Sequence, residues 1–114
     1  MTYFDNEEGA ALKTAFEDVV LNWPGVTVKT MFGCPSYQAN GTIFAVLVTD
    51  GVALTRLPGD HREQVKRTFE SGPFQAGEQT VTKWVQISID DVVEIDSLVP
   101  HIKASYETAL EESD

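Results

Sequence analysis

The pattern of periodic segments along the chain predicts an α+β fold, an antiparallel meander of about five strands packed with amino-terminal, middle and carboxy-terminal helices. Three observations lead there. Asn40-Gly41 and Asp50-Gly51 each stand between apolar runs, and such pairs favour the tight turn of a β-hairpin because they tolerate positive φ. Leu12, Phe16, Val19, Val20 and Trp23 recur at the spacing of one helix face. Finally, 114 residues, 42% of them hydrophobic, suffice for one core and not for two ordinary domains, so residues 1–114 read as a single domain.

The elements follow in order. The first helix is expected over about residues 6–22, and Pro24-Gly25 stops it. Val26, Val28, Thr30 and Phe32 alternate with Thr27, Lys29 and Met31, which predicts a strand over 26–32 that Gly33 and Pro35 bend to a close. Strands over about 36–39, 42–49 and 52–57 then meander, with 42–49 central because it is apolar on both faces. Pro58-Gly59-Asp60 leads into a helix over about residues 61–71, ended by Gly72-Pro73. After a loop rich in Gly, Glu and Gln, residues 80–89 return as a strand. Ser97 is expected to cap the last helix, with Pro100 in its first turn and Leu98, Ile102, Tyr106, Ala109 and Leu110 as its buried stripe.

Charge narrows the function. The net charge is −10, divided as −4 over residues 1–28, +1 over 29–89 and −7 over 90–114. Acidic termini suit a solvated helix face or a cytoplasm of very high salt, where screening within about 3 Å removes self-repulsion. Eight Lys and Arg in all disfavour capture of DNA through many phosphates. The lone Cys34 forms no internal bridge, and neither an export signal nor an apolar run of membrane-spanning length is present, so a soluble, cytoplasmic protein is expected.

Met31-Phe32-Gly33, Tyr37, Gly41, Phe44-Ala45, Leu54, Gly72-Pro73-Phe74 and the closing helix together resemble the TfoX/Sxy amino-terminal domain family over nearly the whole chain. Pro24-Gly25-Val26, Trp84-Val85 and Ser105-Tyr106-Glu107 are also similar to the neighbouring YjbR/MmcQ group. The resemblance implies an α+β domain. Named members are competence regulators with a second, helical domain, and this sequence stops at Asp114 before one. The family usually continues Met-Phe-Gly with further glycine; Cys34-Pro35 stands here instead, implying a stiffer turn. No catalytic residues transfer from the resemblance.

The chemistry-bearing residues give no reaction centre. Cys34 has no cation or helix end near it in sequence to activate the thiol, so a partly buried turn residue is expected. His61 and His101 lie near helix starts, forty residues apart, and read as exposed and non-catalytic. Asp90, Asp91, Glu94 and Asp96 lack the glycine and terminal glutamate of a calcium loop and read as a solvated lead into the last helix. No metal and no cofactor are expected. Arg62, Lys66 and Arg67 form a candidate anion-binding face, although Glu63 and Glu70 flank it and favour internal pairing.

Alternation in strand 80–89 sends Val81, Val85, Ile87 and Ile89 one way and Thr82, Trp84, Gln86 and Ser88 the other. Trp84 is then a large aromatic among polar neighbours, either exposed or covered by a helix or by residues 74–79. With Lys29, Met31, Tyr37 and Arg56 it makes a candidate interaction surface, since aromatic rings, Met and Arg serve as interface anchors. The favoured function is therefore a non-enzymatic regulatory or adaptor domain that binds a protein partner, or itself, through a sheet face and its edges. The alternative is a ligand-binding or catalytic pocket near Cys34, Tyr37 and Arg56. A DNA-binding role of the YjbR/MmcQ kind ranks third because of charge.

Overall fold

A computed structural model describes residues 4–31, 33–76 and 79–113, with the side chains of residues 75–83 excepted. The elements are α1 (Ala10–Val20), β1 (Val26–Met31), β2 (Cys34–Ala39), β3 (Thr42–Val48), β4 (Gly51–Leu54), α2 (Gly59–Thr68), β5 (Ser71–Ala76), β6 (Gln79–Ser88) and α3 (Glu94–Glu112). The strands form one six-stranded sheet in the order β1-β2-β3-β4-β6-β5, antiparallel at every junction. The α+β expectation holds, with one strand more than predicted. Phe32, at the end of the predicted first strand, and the side chains of Val81 and Thr82 lie outside the described residues.

Asn40 (φ 50°) and Gly41 (φ 89°) both take positive φ, the requirement of the tight hairpin turn read from the sequence. The second reversal differs. Val48 pairs with Gly51, so Thr49 and Asp50 form the loop and Gly51 opens β4. Gly51 serves packing instead: a Cβ there would stand 2.2 Å from the Ile87 carbonyl oxygen of β6. Cys34-Pro35 is likewise strand and not turn. Met31 pairs with Cys34 and Thr30 with Pro35, while Gly33 (φ 74°) takes the bend.

The unpredicted strand is β5. Its Ser-Gly-Pro-Phe-Gln-Ala sequence reads as a helix terminator followed by loop, yet a strand at the rim tolerates Gly and Pro because one side of its backbone needs no partner. Its ladder with β6 is interrupted: Pro73 pairs with Val85, then Phe74 with Val81. Another irregularity lies in β3, where Tyr37 pairs with Ala45 but Gln38 pairs with Ile43, leaving Phe44 unopposed. This bulge turns both Phe44 and Ala45 into the larger core, while Ile43 and Val46 pack in the smaller one.

The larger core lies between the sheet and all three helices. Leu12, Phe16 and Val20 of α1, Val65 of α2, and Ile95, Leu98, Ile102, Tyr106 and Ala109 of α3 bury there. The smaller core gathers Cys34, Val46, Val48, Ala53 and Phe74, with Met31 and Trp84 packed against it. The last helix starts earlier than expected, at Glu94. The Glu94 carboxylate accepts the Asp90 and Asp91 amides at 2.8 and 2.9 Å, and the Asp91 carboxylate accepts the Val93 amide at 3.1 Å. These bonds close the turn that leads into the helix, which begins at Glu94, so Ser97 lies within it and Pro100 stands inside rather than in the first turn.

α3 is also the tie of the fold. The Ser105 hydroxyl donates to the Phe44 carbonyl at 2.7 Å and accepts the Arg56 amide at 3.1 Å. The Tyr106 hydroxyl donates to the Pro24 carbonyl, with its ring 4.9 Å from that of Trp23. Two short motifs noted in the sequence, around Pro24 and around Ser105, thus meet in space. Among the described residues no helix is long and apolar enough to cross a membrane.

Candidate functional site

α2 begins at Gly59, after Pro58 in an extended conformation, and buries Val65 against the larger core. Arg62 and Lys66 are four residues apart and form one ridge of this helix, while Glu63 and Arg67 pair on the next at 3.4 Å. The ridge of Arg62 and Lys66 faces the rim of the sheet, where the interrupted β5–β6 ladder sets Trp84 beside Pro73. Between them is a cavity of about 290 Å³, walled by Arg62, Lys66, Ser71, Pro73, Trp84 and Val85.

The charges in this cleft are incompletely spent. Arg62 anchors itself by donating from Nη2 to the Leu57 carbonyl at 3.1 Å. Its Nε is buried and has no acceptor among the described residues. Lys66 has no ion pair among the described residues. The expected internal pairing therefore applies to Arg67 alone. The Trp84 ring rests on Phe74 with centroids 5.3 Å apart and is half-buried, neither fully exposed nor sealed in core.

The sequence-derived interaction surface does not converge on one patch. Lys29 and Met31 lie on β1, and four strand-to-strand steps, about 19 Å at the usual spacing, separate β1 from Trp84 on β6. Tyr37 is fully buried in the helix-covered core, its ring 4.9 Å from Phe16 and its hydroxyl donating to the Glu17 carboxylate at 2.8 Å. Burial, and secondarily the bond to Glu17, push its ionisation far above the ordinary range. Arg56 lies past the end of β4, donates to the Ile43 carbonyl at 2.7 Å and pairs with Glu112 of α3. Each of these two clamps the fold.

Cys34, Tyr37 and Arg56 do not line a shared pocket either. Cys34 belongs to the smaller core and Tyr37 to the larger one, across the sheet. Burial raises the pKa of the Cys34 thiol, which keeps it protonated and weakly nucleophilic. Cys34 does border a groove of about 380 Å³ beside β1, which Phe4, Lys13, Val28 and Lys29 also line.

The histidines depart from expectation. His61 and His101 are brought together, Nδ1 to Nδ1 at 3.0 Å, and His101 is only 8% exposed, with Phe69 edge-on to its ring. Burial, and then His61, lower the pKa of His101. The spacing Leu98, His101, Ile102, Ser105 is a helix stripe, and would have placed His101 on the buried side. No group of three or more His, Cys, Asp or Glu suited to a metal occurs among the described residues. Sequence reasoning missed Ser105 as a tie, and treated Trp84 and the α2 cations as separate features.

Residues 18–109 match a family model, the TfoX N-terminal domain. Comparison with curated proteins and with solved structures gives no match.

Proposed function

Because the chain belongs to the TfoX N-terminal domain family, we propose that it is a non-enzymatic regulatory or adaptor domain that takes up an extended segment of a protein partner along β1. The observation that carries this reading is the open edge of β1. Among the described residues it pairs with β2 on one side only, and Thr27, Val28, Lys29 and Thr30 are all exposed, Val28 at 45%. An uncovered edge strand is a template for one more strand.

The register says which backbone groups are on offer. The Asn40 amide donates to the Gly25 carbonyl at 3.0 Å, and in an antiparallel ladder bonded and unbonded pairs alternate. Val26, Val28 and Thr30 then fall on unbonded pairs, so their amide and carbonyl groups point away from β2. The opposite rim is less suited, because Pro73 of β5 has no amide hydrogen to offer. The groove beside β1 has Lys29 on its wall, while Lys13 there is already paired with Glu17 at 3.3 Å, and Lys29 suits an acidic side chain of the added strand. A non-enzymatic role is further supported by the titratable groups already engaged in structure: Tyr37 with Glu17, Arg56 with Glu112, and Asp91 and Glu94 at the start of α3.

The test is hydrogen exchange on the chain alone and in complex with a partner captured at the ionic strength of the source cell. The Val26, Val28 and Thr30 amides should exchange quickly when free and become protected on binding. Val28→Pro removes an outward amide hydrogen without breaking a β1–β2 bond and should abolish capture; Val28→Lys is a second variant that keeps the backbone intact. Undiminished capture by folded Val28→Pro, with no protection at β1, would overturn the proposal. Self-association protecting the same amides would make a second copy the occupant.

A further inference from the structure

We propose that the cleft between α2 and the β5–β6 rim binds a small organic anion, a carboxylate or phosphate carried on a flat ring. This goes beyond the adaptor reading and involves a different region of the molecule. Two cations, Arg62 and Lys66, stand on one ridge and neither makes an ion pair among the described residues. In a chain of net charge −10 with eighteen acidic residues, two basic side chains that line the same cavity and have no carboxylate partner among the described residues can take an anion from elsewhere.

The Arg62 guanidinium is held in place beside the cavity. One of its ends is fixed on the Leu57 carbonyl, while Nε is buried without an acceptor among the described residues. Nε has no exposed surface, so an anion in the cleft would meet the remaining N–H groups of the guanidinium and not this atom. A guanidinium already anchored by one nitrogen loses little freedom when a planar oxyanion completes its bonds. Lys66, at the more exposed end of the ridge, adds a point charge.

The rest of the cavity sets the body of the ligand. Trp84, Pro73 and Val85 form an apolar wall opposite the cations, and an indole stacks well on a flat ring. The volume of about 290 Å³ is at the lower end of the roughly 300–1,000 Å³ range of ligand pockets, which fits one ring system and its charged group. The interruption between Pro73 and Phe74 makes this wall, since it releases the backbone around Trp84 from strict pairing with β5.

Nuclear magnetic resonance titration of the full chain tests this, using the indole N–H signals of Trp84 and Trp23 as site and control. The probes are 1-naphthoate, adenosine 5′-monophosphate, adenosine and inorganic phosphate. At least one ring-bearing anion should shift the Trp84 signal and leave Trp23 unmoved, binding at least about tenfold more tightly than adenosine or inorganic phosphate. Preference between the naphthoate and the nucleotide distinguishes a carboxylate from a phosphate ligand. Lys66→Gln should weaken binding at least about threefold and Arg62→Gln at least about tenfold. Lys66 is exposed, so its variant remains informative if Arg62→Gln fails to fold. No Trp84 shift with either ring anion, equal binding of inorganic phosphate, or unchanged affinity in folded Lys66→Gln would overturn the proposal.

Discussion

Replacing Ser105 by Ala should cost more stability than any other serine truncation among the described residues, because its hydroxyl holds two backbone segments to α3. Oγ donates to the Phe44 carbonyl at 2.7 Å and accepts the Arg56 amide at 3.1 Å, in a residue with no exposed surface. The consequences of losing it are unequal. The Phe44 carbonyl retains the Thr55 amide at 3.1 Å and stays satisfied, whereas the Arg56 amide has no other acceptor among the described residues. The lost bond is worth about 1 kcal/mol, and an orphaned, partly buried amide costs about 1–2 kcal/mol more. Alanine returns about 0.5 kcal/mol of helix propensity, leaving a net loss of about 2 kcal/mol. With a urea dependence of about 2 kcal/mol per molar, the unfolding midpoint should fall by about 1 M. Ser36→Ala is the comparison. Its hydroxyl makes a single bond, to the Lys29 carbonyl at 2.9 Å, and its loss should cost about 1 kcal/mol. A Ser105→Ala midpoint as high as that of Ser36→Ala would refute the reasoning.

Two further outcomes are expected. Gly51→Ala places a Cβ 2.2 Å from a backbone oxygen of β6 and should destabilise the domain by over about 2 kcal/mol, whereas Gly41→Ala meets no atom within 4 Å and loses only about 1 kcal/mol through its positive φ. Equal thermal midpoints for the two variants would contradict this. His101 has its pKa lowered in the folded chain, first by burial and then by His61, so the unfolded chain binds the proton more tightly. Its contribution to stability is complete above the ordinary value of 6.5 and is lost as pH falls toward the depressed one. Urea midpoints should therefore decline between about pH 8 and about pH 5.5, and His101→Leu should flatten that decline; parallel curves would exclude His101 as its source.

Local chemistry explains which regions of the fold could be read from the sequence. Asn40-Gly41 was legible because two successive positive φ values admit few residue pairs. Asp50-Gly51 looked the same, but Gly51 answers to Ile87, a neighbour remote in sequence, and so the turn centre shifted by one residue. β5 was hidden because Gly72-Pro73 breaks most strands, and only its place at the rim makes the pair tolerable. The start of α3 was misplaced because Asp91 and Glu94 fold the turn ahead of it around two valines with little side-chain signal of their own. Arg62, Lys66 and Trp84 each stood out, yet their meeting depends on an interruption between Pro73 and Phe74 that no periodicity announces. The His61–His101 pair is tertiary in the same sense.

The bonds from α3 reach far back along the chain, 61 residues from Ser105 to Phe44 and 82 from Tyr106 to Pro24. A ribosome delivers these partners in a fixed order, the receivers first and the clasp last. A nascent chain that has emerged only through β6 holds Phe44, Leu47 and Leu54 without the helix that covers them, and that interval is when it most needs shelter from other chains. The interior is therefore sealed only once α3 has emerged, and conditions that slow translation over α3 should favour aggregation over folded protein.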